Sequence, residues 1–370
     1  QYGADVIMRA NYALEHGTEA LSMCVRKVVN EMLGSLAEDA GIRREDVFQV
    51  CVVGNTCMHH LFLGISPASL VHAPYTPAVS ERLVLNAGDY GLAVQERAEL
   101  IMLSDIAGYV GADTCGCLLA IRQDQQEEIS LMIDIGTNGE MVLGNRERMV
   151  TCSTAAGPAF EGAKIECGMR GAAGAVDHVK YEDGKWNYTT VGNKPAVGLC
   201  GSGLIDLVAG LLDAGMLDEN GVLRSGQEKQ GVFILVPPER GGNERGVYLT
   251  QKDLGEVQLA KAAIAAGIQM LMERLGITED DICSVYIAGA FGNYMDPVSA
   301  GEIGLLPATL VKKVKPVGNA AGEGAKIALV NEKEMLEMDE LVRKIEFVEL
   351  AASADFQDHF IDELGFETGE

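Results

Sequence analysis

The stretch LMIDIGTNGEMVL, residues 131–143, sets two apolar runs on either side of a reversal that contains glycine. This pattern predicts a β-hairpin. Asp134 follows three apolar residues, and a carboxylate inside a sheet is costly unless its charge is used. We therefore expect Asp134 at the end of the first strand, where it can meet a water molecule bound to Mg²⁺.

The turn of this hairpin has two interpretations. Gly136 and Gly139 can expose backbone N–H groups that cradle a phosphate, and Thr137 and Asn138 can add hydrogen bonds just before Glu140. Alternatively, the Asn-Gly pair only supplies the positive φ of a tight hairpin. The eight residues IDIGTNGE do not decide between these two interpretations.

Three other glycine-containing segments are candidates for contacts with a nucleotide. We expect the first two to open helices, whose N-termini attract anions, and the third to let a base or ribose lie against the backbone. For each segment taken alone, an ordinary loop-to-helix junction or close packing is the better interpretation. The candidates are Gly157, Pro158 and Glu161, then Gly201, Ser202 and Gly203, then Gly289, Ala290, Phe291 and Gly292.

The common nucleotide and metal motifs do not fit. Asp206 occupies the place of the third glycine of a dinucleotide fingerprint after Gly201 and Gly203, and no Gly-Lys-Ser/Thr string of a Walker A motif occurs. His59 and His60 are adjacent, so they point in different directions, and we interpret them as lying on a helix surface or boundary. The nine cysteines form no C-x-x-C pair, so their spacing gives little support to a zinc or iron–sulfur site.

Charge and composition limit the partners. The chain has 29 Lys and Arg against 54 Asp and Glu, a net charge of −25, which argues against a general nucleic-acid or membrane binder. It contains no run of about 18 apolar residues. Nine cysteines without a basic and apolar leader predict a reducing, cytoplasmic location. Because the chain begins QYGADV without Met, we expect it to be a fragment of a longer protein.

Strand and helix patterns alternate along the chain, which predicts an α/β fold. Apolar residues from Leu21 to Leu36 recur every three or four positions and predict an amphipathic helix within residues 12–40. A helix is expected at residues 255–275, and a buried strand comes after it. The charged stretch RQDQQEE, residues 122–128, is the expected boundary between a domain at 1–128 and a second at 129–370.

The motifs form a recognisable series when they are taken in order. VVGNT, LSDIAGYVGADTCG, IDIGTNGE, STAAGPAFEG, YIAGAFGN and VGNAAGEGAKIAL together resemble the ASKHA superfamily of kinases, actin and heat-shock chaperones. More closely, the chain resembles the C-terminal ATP-binding region of the reductive activators of corrinoid proteins. The resemblance covers nearly all 370 residues, including the opening QYGADVIMRANYAL and the closing FVELAASADFQDHF.

The resemblance implies a fold and an activity. It implies two RNase H-like subdomains with a nucleotide cleft between them, the first lacking its N-terminal strands, and with them a first phosphate hairpin. It also implies an ATPase activity in the full-length protein that is coupled to reduction of Co(II) to Co(I) in the corrinoid protein of a methyltransferase system. The electron would come from a [2Fe–2S] cluster in an N-terminal domain absent from this chain, and a homodimer is one assembly that the resemblance allows.

Residue by residue, the resemblance makes IDIGTNGE the second phosphate hairpin, with Asp134 near Mg²⁺ and residues 136–139 on the phosphates of ATP. Residues 289–292 match the adenosine motif, and Asp105 becomes a second carboxylate at the phosphates. The 2-hydroxyacyl-CoA dehydratase activators share the series but have cluster cysteines where this chain has Gly108 and Thr154. Those activators, a small-molecule kinase and a non-catalytic interaction module are the alternatives.

Overall fold

A computed structural model describes residues 2, 3, 5–224, 231–351 and 353–366. The helices, in chain order, are α1 (Val6–His16), α2 (Glu19–Ala40), α3 (Thr56–Leu63), α4 (Ala68–Val71), α5 (Ala112–Ile121), α6 (Gly201–Asp213), α7 (Gln251–Leu275), α8 (Gly289–Gly292), α9 (Pro297–Glu302), α10 (Ala320–Val330), α11 (Glu332–Val342) and α12 (Ala354–Asp362). The strands are β1 (Gln49–Val52), β2 (Leu83–Asn86), β3 (Glu99–Met102), β4 (Ile129–Ile135), β5 (Gly139–Gly144), β6 (Met149–Thr154), β7 (Ala175–Glu182), β8 (Lys185–Thr190), β9 (Gly198–Leu199), β10 (Val232–Val236), β11 (Val247–Thr250), β12 (Ile282–Ala288), β13 (Val314–Gly318) and β14 (Glu346–Phe347). Strands and helices alternate as the sequence predicts.

The chain forms two compact units, each made of three segments. Unit 1 consists of Gln1–Gln126, Arg146–Met149 and Asn319–Phe347. Unit 2 consists of Glu127–Asn145, Val150–Gly318 and Val348–Glu370.

Unit 1 is built on a small sheet with the strand order β1-β3-β2. β1 runs parallel to β3, with Val52 opposite Met102, and β2 runs antiparallel to β3. The parallel pair brings the carboxyl ends of β1 and β3 to one edge of the sheet. Residues that follow these two strands therefore come close together.

The helix predicted within residues 12–40 is two helices, because α1 ends at Gly17, whose φ is +82°. The predicted buried face is also partly wrong. Leu21 and Val25 of α2 pack against two apolar clusters of unit 1, whereas Val28, Met32 and Leu36 are exposed. A periodic apolar pattern fixes the helix but does not decide which side of it finds a partner.

Helices α5 and α10 are in backbone contact within unit 1. A Cβ added at Gly324 would overlap the carbonyl oxygen of Gly116, and one at Gly116 would press on Ala321. The small residues of α5, which begins at Ala112, allow this close packing. Glycine is required on both helices at this crossing.

Unit 2 contains the strands ordered β13-β12-β4-β5-β6 in one mixed sheet. β4 and β5 form the predicted antiparallel hairpin, and β12 lies parallel to β4 and to β13. α7 covers this sheet and buries Val257, Ile264 and Leu271. Its N-terminus is closed by a capping box between Thr250 and Asp253, which satisfies two backbone N–H groups.

The C-terminal segment lies along α7. Lys261 of α7 is buried, and its ammonium donates a hydrogen bond to the Gly365 carbonyl. The ammonium also lies 5.6 Å from the centre of the Phe366 ring. A buried charge needs such partners, so the segment at 363–366 completes the environment of Lys261.

Within the described ranges, none of the helices combines the length and apolar character that crossing a bilayer requires.

Candidate functional site

Asp134 lies where two strands of unit 2 end. It is the next-to-last residue of β4, half-buried, with Glu140 of β5 opposite it on one side and Ala288 of β12 opposite it on the other. The chain then reverses, and the Gly136 N–H donates to the Asn138 carbonyl at 2.9 Å. The structure thus sets a carboxylate beside a tight glycine turn, as the hairpin prediction requires.

Gly289 touches this carboxylate from the end of β12. Its φ is +88°, and an added Cβ would lie 3.0 Å from Oδ1 of Asp134 and 3.6 Å from the Ile135 carbonyl. A side chain here would be strained and would also crowd the carboxylate. The structure therefore brings together two of the predicted segments, which lie about 150 residues apart in the sequence.

A hydrogen bond links the segment at residues 155–164 to the hairpin turn, since the Thr137 hydroxyl donates to Oε2 of Glu161 at 2.9 Å. The helix predicted after Gly157 is wrong. The segment forms reverse turns, with Gly157 at a φ of +76° and Gly162 at +78°, and the Ala163 N–H donates to the Pro158 carbonyl. Two left-handed residues so close together break a helical ladder, so these residues offer a loop instead of a helix N-terminus.

Two side chains of β6 form hydrogen bonds to β5, the second strand of the hairpin. Ser153 Oγ donates to Oε1 of Glu140 at 3.2 Å, and Thr154 Oγ1 donates to the Gly139 carbonyl at 3.3 Å. A Cβ at Gly139 would lie 2.9 Å from Thr154 Oγ1, so Gly139 serves close packing. Of the predicted phosphate residues, Gly136 lies in the open part of the turn, since an added Cβ there meets only the Asn138 carbonyl, at 3.8 Å.

The predicted segment at residues 201–203 opens helix α6, as expected, but all three residues are buried. A Cβ at Gly203 would overlap the Val176 carbonyl of β7, so this glycine lets the helix lie directly on the strand. Ser202 Oγ lies 3.4 Å from the Cys200 thiol. These contacts give Ser202 and Gly203 a packing role within unit 2, and Gly201 is buried beside them.

The last predicted segment forms the short helix α8 after β12. The backbones of Ala290 and Phe291 lie within it. A Cβ at Gly292 would lie 2.5 Å from Cγ2 of Ile287, which again requires a glycine. The backbone of this segment stays close to the sheet, as expected for a surface against which a flat group could lie.

Asp105, the other predicted carboxylate, belongs to unit 1 and lies just after β3. It is buried, and its Oδ1 accepts a hydrogen bond from the Ala112 N–H at 2.9 Å. Its carboxylate also lies 3.2 Å from Nδ1 of His59. Nearby, burial raises the pKa of the Asp113 carboxyl to about 6. Asp105 is thus tied to the start of α5 and to a buried histidine.

The histidine interpretation is wrong in one respect, because both rings are buried. His59 faces Asp105, whereas His60 donates from Nδ1 to the Thr56 carbonyl at 2.8 Å and accepts the Ala78 N–H at Nε2. They do point in different directions, as adjacency predicts. Sequence reasoning missed the His59–Asp105 pair, although a helix after β1 and a carboxylate after the parallel β3 are a signal for it.

In the part of the chain that the structure describes, no group of three or more His, Cys, Asp or Glu side chains is arranged to hold a metal ion. A single carboxylate such as Asp134 still suits Mg²⁺ in a nucleotide complex. Magnesium keeps several waters and takes the rest of its ligands from the phosphates.

Two family models divide the chain between them. Residues 128–370 match the C-terminal ASKHA domain of RACo, and residues 1–126 match the RACo middle region. The chain belongs to the RACo family. The ASKHA resemblance drawn from the motif series is thereby confirmed.

Relatives of this RACo-family chain carry corrinoid-related names. It is 35% identical over 378 residues to the corrinoid activation enzyme RamQ of Eubacterium limosum, a match that covers 97% of the chain and 63% of RamQ. It is 27% identical over 399 residues to a [Co(II) methylated amine-specific corrinoid protein] reductase of Methanosarcina barkeri, covering 99% of the chain and 71% of that protein. The chain thus spans about two thirds of the length of these relatives.

A solved structure agrees with this membership. The reductive activator for a corrinoid, iron-sulfur protein has a TM-score of 0.90 and 37% identity, over 99% of the RACo-family chain and 60% of that protein. The α/β fold predicted from the sequence is therefore confirmed.

Gly108 and Thr154, the two positions at which the resemblance expects a cluster cysteine in a dehydratase activator, are closely packed in this RACo-family chain. A Cβ at Gly108 would overlap the Tyr75 carbonyl, so a cysteine does not fit there. Thr154 is buried below Gly139. Neither place is shaped to present a thiolate to a cluster.

Proposed function

We propose that this chain is the nucleotide-dependent part of a reductive activator of a corrinoid protein. In this activity, ATP binding and hydrolysis are coupled to the transfer of one electron that reduces Co(II) to Co(I) and returns the corrinoid to a methyltransferase system. The names of the two relatives and of the solved structure support this substrate class.

The observation that carries the proposal is the meeting of Asp134, the hairpin turn and Gly289 inside the matched ASKHA domain. In this proposal the backbone N–H groups of Thr137 and Asn138 in the hairpin turn bind the anion, in a protein whose net charge of −25 leaves few cationic side chains for that task. The backbone of residues 289–292 is the proposed surface for the adenosine. The loop at residues 157–161 closes the phosphate side through the hydrogen bond from Thr137 to Glu161.

Each residue has a defined task in this proposal. Mg²⁺ would supply charge neutralisation at the phosphates. Asp134 orients a water of the metal, and the backbone N–H groups of Thr137 and Asn138 bind and position phosphate oxygens. Gly136 keeps the turn open beside them, and Gly289 keeps space for the carboxylate. Asp105 has no task at the phosphates in this proposal, because its carboxylate is already used by the Ala112 N–H and the His59 ring. Gly201, Ser202 and Gly203 support the site through α6.

The electron source lies outside this chain in the proposal. A [2Fe–2S] cluster in a further domain would give up one electron, and the Co(II) centre of the partner would accept it. All nine cysteines lie in the described ranges and none of them forms a disulfide, in keeping with the cytoplasmic location that we propose. The proposal includes a homodimer, which light scattering of the purified protein would detect.

The first experiment is calorimetric titration of MgATP into the wild type and the variant Asp134→Asn. The variant keeps the shape of the side chain and removes its charge, so we expect roughly tenfold weaker binding or more with an unchanged unfolding transition. Asp280→Asn is the matched control, since it removes an exposed acid of the same unit. Equal affinities for all three proteins would refute the role of Asp134.

The second experiment tests the reaction. The protein together with its iron–sulfur region, a reductant and a Co(II) corrinoid protein should develop Co(I) absorbance only when ATP is added. Co(I) formation at the same rate without ATP would remove the coupling from the proposal, and a phosphorylated small-molecule product would favour a kinase.

A further inference from the structure

Lys164 of unit 2 pairs with a carboxylate on a different element. Its ammonium lies 3.1 Å from Oε2 of Glu256, in the second turn of α7. The Lys164 side chain is 51% exposed and that of Glu256 is 21% exposed. The pair therefore lies at the surface, where an ion pair adds little stability and its partners can exchange.

The ammonium of Lys164 lies over the loop that the proposed phosphate site uses. A Cβ added at Gly157 would come within 3.6 Å of Nζ, so the charge stands directly above that glycine. The loop between them carries Glu161, which accepts the hydrogen bond from Thr137 in the hairpin turn. Lys164 is thus held on the segment that closes the phosphate side.

Charge makes this position significant. The hairpin turn has the titratable side chains of Asp134, Glu140 and Glu161 around it, and all three are acids. Even with Mg²⁺, a nucleoside triphosphate brings further negative charge among them. A flexible ammonium is the ordinary way to bind such a phosphate as a point charge.

We propose that Lys164 binds a terminal phosphate oxygen of the nucleotide and gives up Glu256 to do so. This inference rests on the proposed function and adds a residue that distinguishes a triphosphate from a diphosphate. Glu256 competes with the phosphate for the same ammonium. When the triphosphate is bound, Glu256 is released on α7, and when the terminal phosphate leaves, the ion pair forms again.

The test uses calorimetry of MgATP and MgADP with three variants at low and high salt. Lys164→Met should lose roughly tenfold or more in MgATP affinity, lose less for MgADP, and show a shallower dependence on salt. Glu256→Gln removes the competitor and should bind MgATP more tightly, by a few fold. Lys180→Met, which breaks an exposed pair with Glu182 elsewhere in unit 2, is the control and should bind like the wild type.

The opposite signs of the two main variants separate binding from structure. If the ion pair only holds the loop in place, Lys164→Met and Glu256→Gln should weaken binding alike, and the proposal is overturned. A wild type that binds MgATP no better than Lys164→Met overturns this assignment alone. A wild type that does not bind MgATP at all removes both the assignment and the proposed nucleotide site.

Discussion

Two aspartates at the ends of buried strands have opposite surroundings. Asp105, after β3 in unit 1, is 4% exposed, and its carboxylate meets the Ala112 N–H and the His59 ring. Asp134, at the end of β4 in unit 2, is half-buried beside a turn and a glycine of positive φ. The first is part of a folded core, and the second is half-buried at the end of its strand.

The difference comes from the path that the chain takes after each aspartate. After Asp105 the chain turns into α5, whose first N–H group uses the carboxylate. After Asp134 the chain reverses within three residues, and Gly289 leaves the space above the carboxylate clear of a side chain. An apolar run that ends in Asp therefore does not by itself define a ligand site.

Replacing each aspartate by alanine should give the largest contrast. Asp105→Ala leaves the Ala112 N–H and His59 without their acceptor in the core, and we expect a loss of about 3 kcal/mol in the free energy of unfolding. Asp134→Ala should lose less than about 1 kcal/mol, since it lies at an edge. Urea unfolding followed by circular dichroism measures both. Equal losses would break the comparison.

Gly289→Ala should reduce both stability and binding. The positive φ costs about 1–2 kcal/mol for a residue with a Cβ. The new methyl group also presses on Oδ1 of Asp134, so MgATP affinity should fall about tenfold.

Gly276→Ala is the matched control for this change. Gly276 has a φ of +70°, and an added Cβ meets nothing within 4 Å. It should lose similar stability and keep the affinity of the wild type for MgATP. If both variants weaken binding alike, backbone strain and not the contact with Asp134 is responsible.

The smallest expected effect is a pH dependence of the stability that arises from Asp113 in unit 1. Burial raises the pKa of Asp113 to about 6 from its ordinary value near 4, so the folded state holds this proton when the unfolded chain has released it. This group therefore lowers stability as pH rises from about 4 to 6.

Asp113→Asn removes that loss and should raise the free energy of unfolding by about 1 kcal/mol at pH 7. The gain is smaller than a fully buried carboxyl would give, because water still reaches part of the Asp113 side chain. The gain should vanish near pH 4. Urea midpoints of the wild type and the variant at several pH values measure it, and a difference that stays constant with pH would contradict the assigned cause.

Local sequence patterns were sufficient to predict the elements whose own residues contain both the apolar pattern and the signals that end it. The hairpin of β4 and β5, the strand β12 and the helix α7 are predictable from apolar runs and turn glycines, although α7 begins at Gln251, four residues before its predicted start. In these segments, backbone geometry and side-chain pattern favour the same structure.

Elements that depend on distant contacts were not predictable in this way. The loop after Thr154 has the pattern of a helix start, but Gly162 packs against the backbone of Gly168 and takes a positive φ. The burial of His59 depends on Asp105, which lies 46 residues away. The meeting of Asp134 with Gly289 likewise needed the parallel pairing of β4 and β12, which no local spacing contains.

The contact between α5 and α10 has a consequence for synthesis on the ribosome. α5 ends at Ile121 and α10 begins at Ala320, so about 200 residues are made between two helices whose glycine backbones touch. At about 5–20 residues per second, the nascent chain waits roughly 10–40 s with the α5 side of that contact uncovered. Unit 1 is the first to be started and can be completed only after nearly all of the strands of unit 2 have left the ribosome.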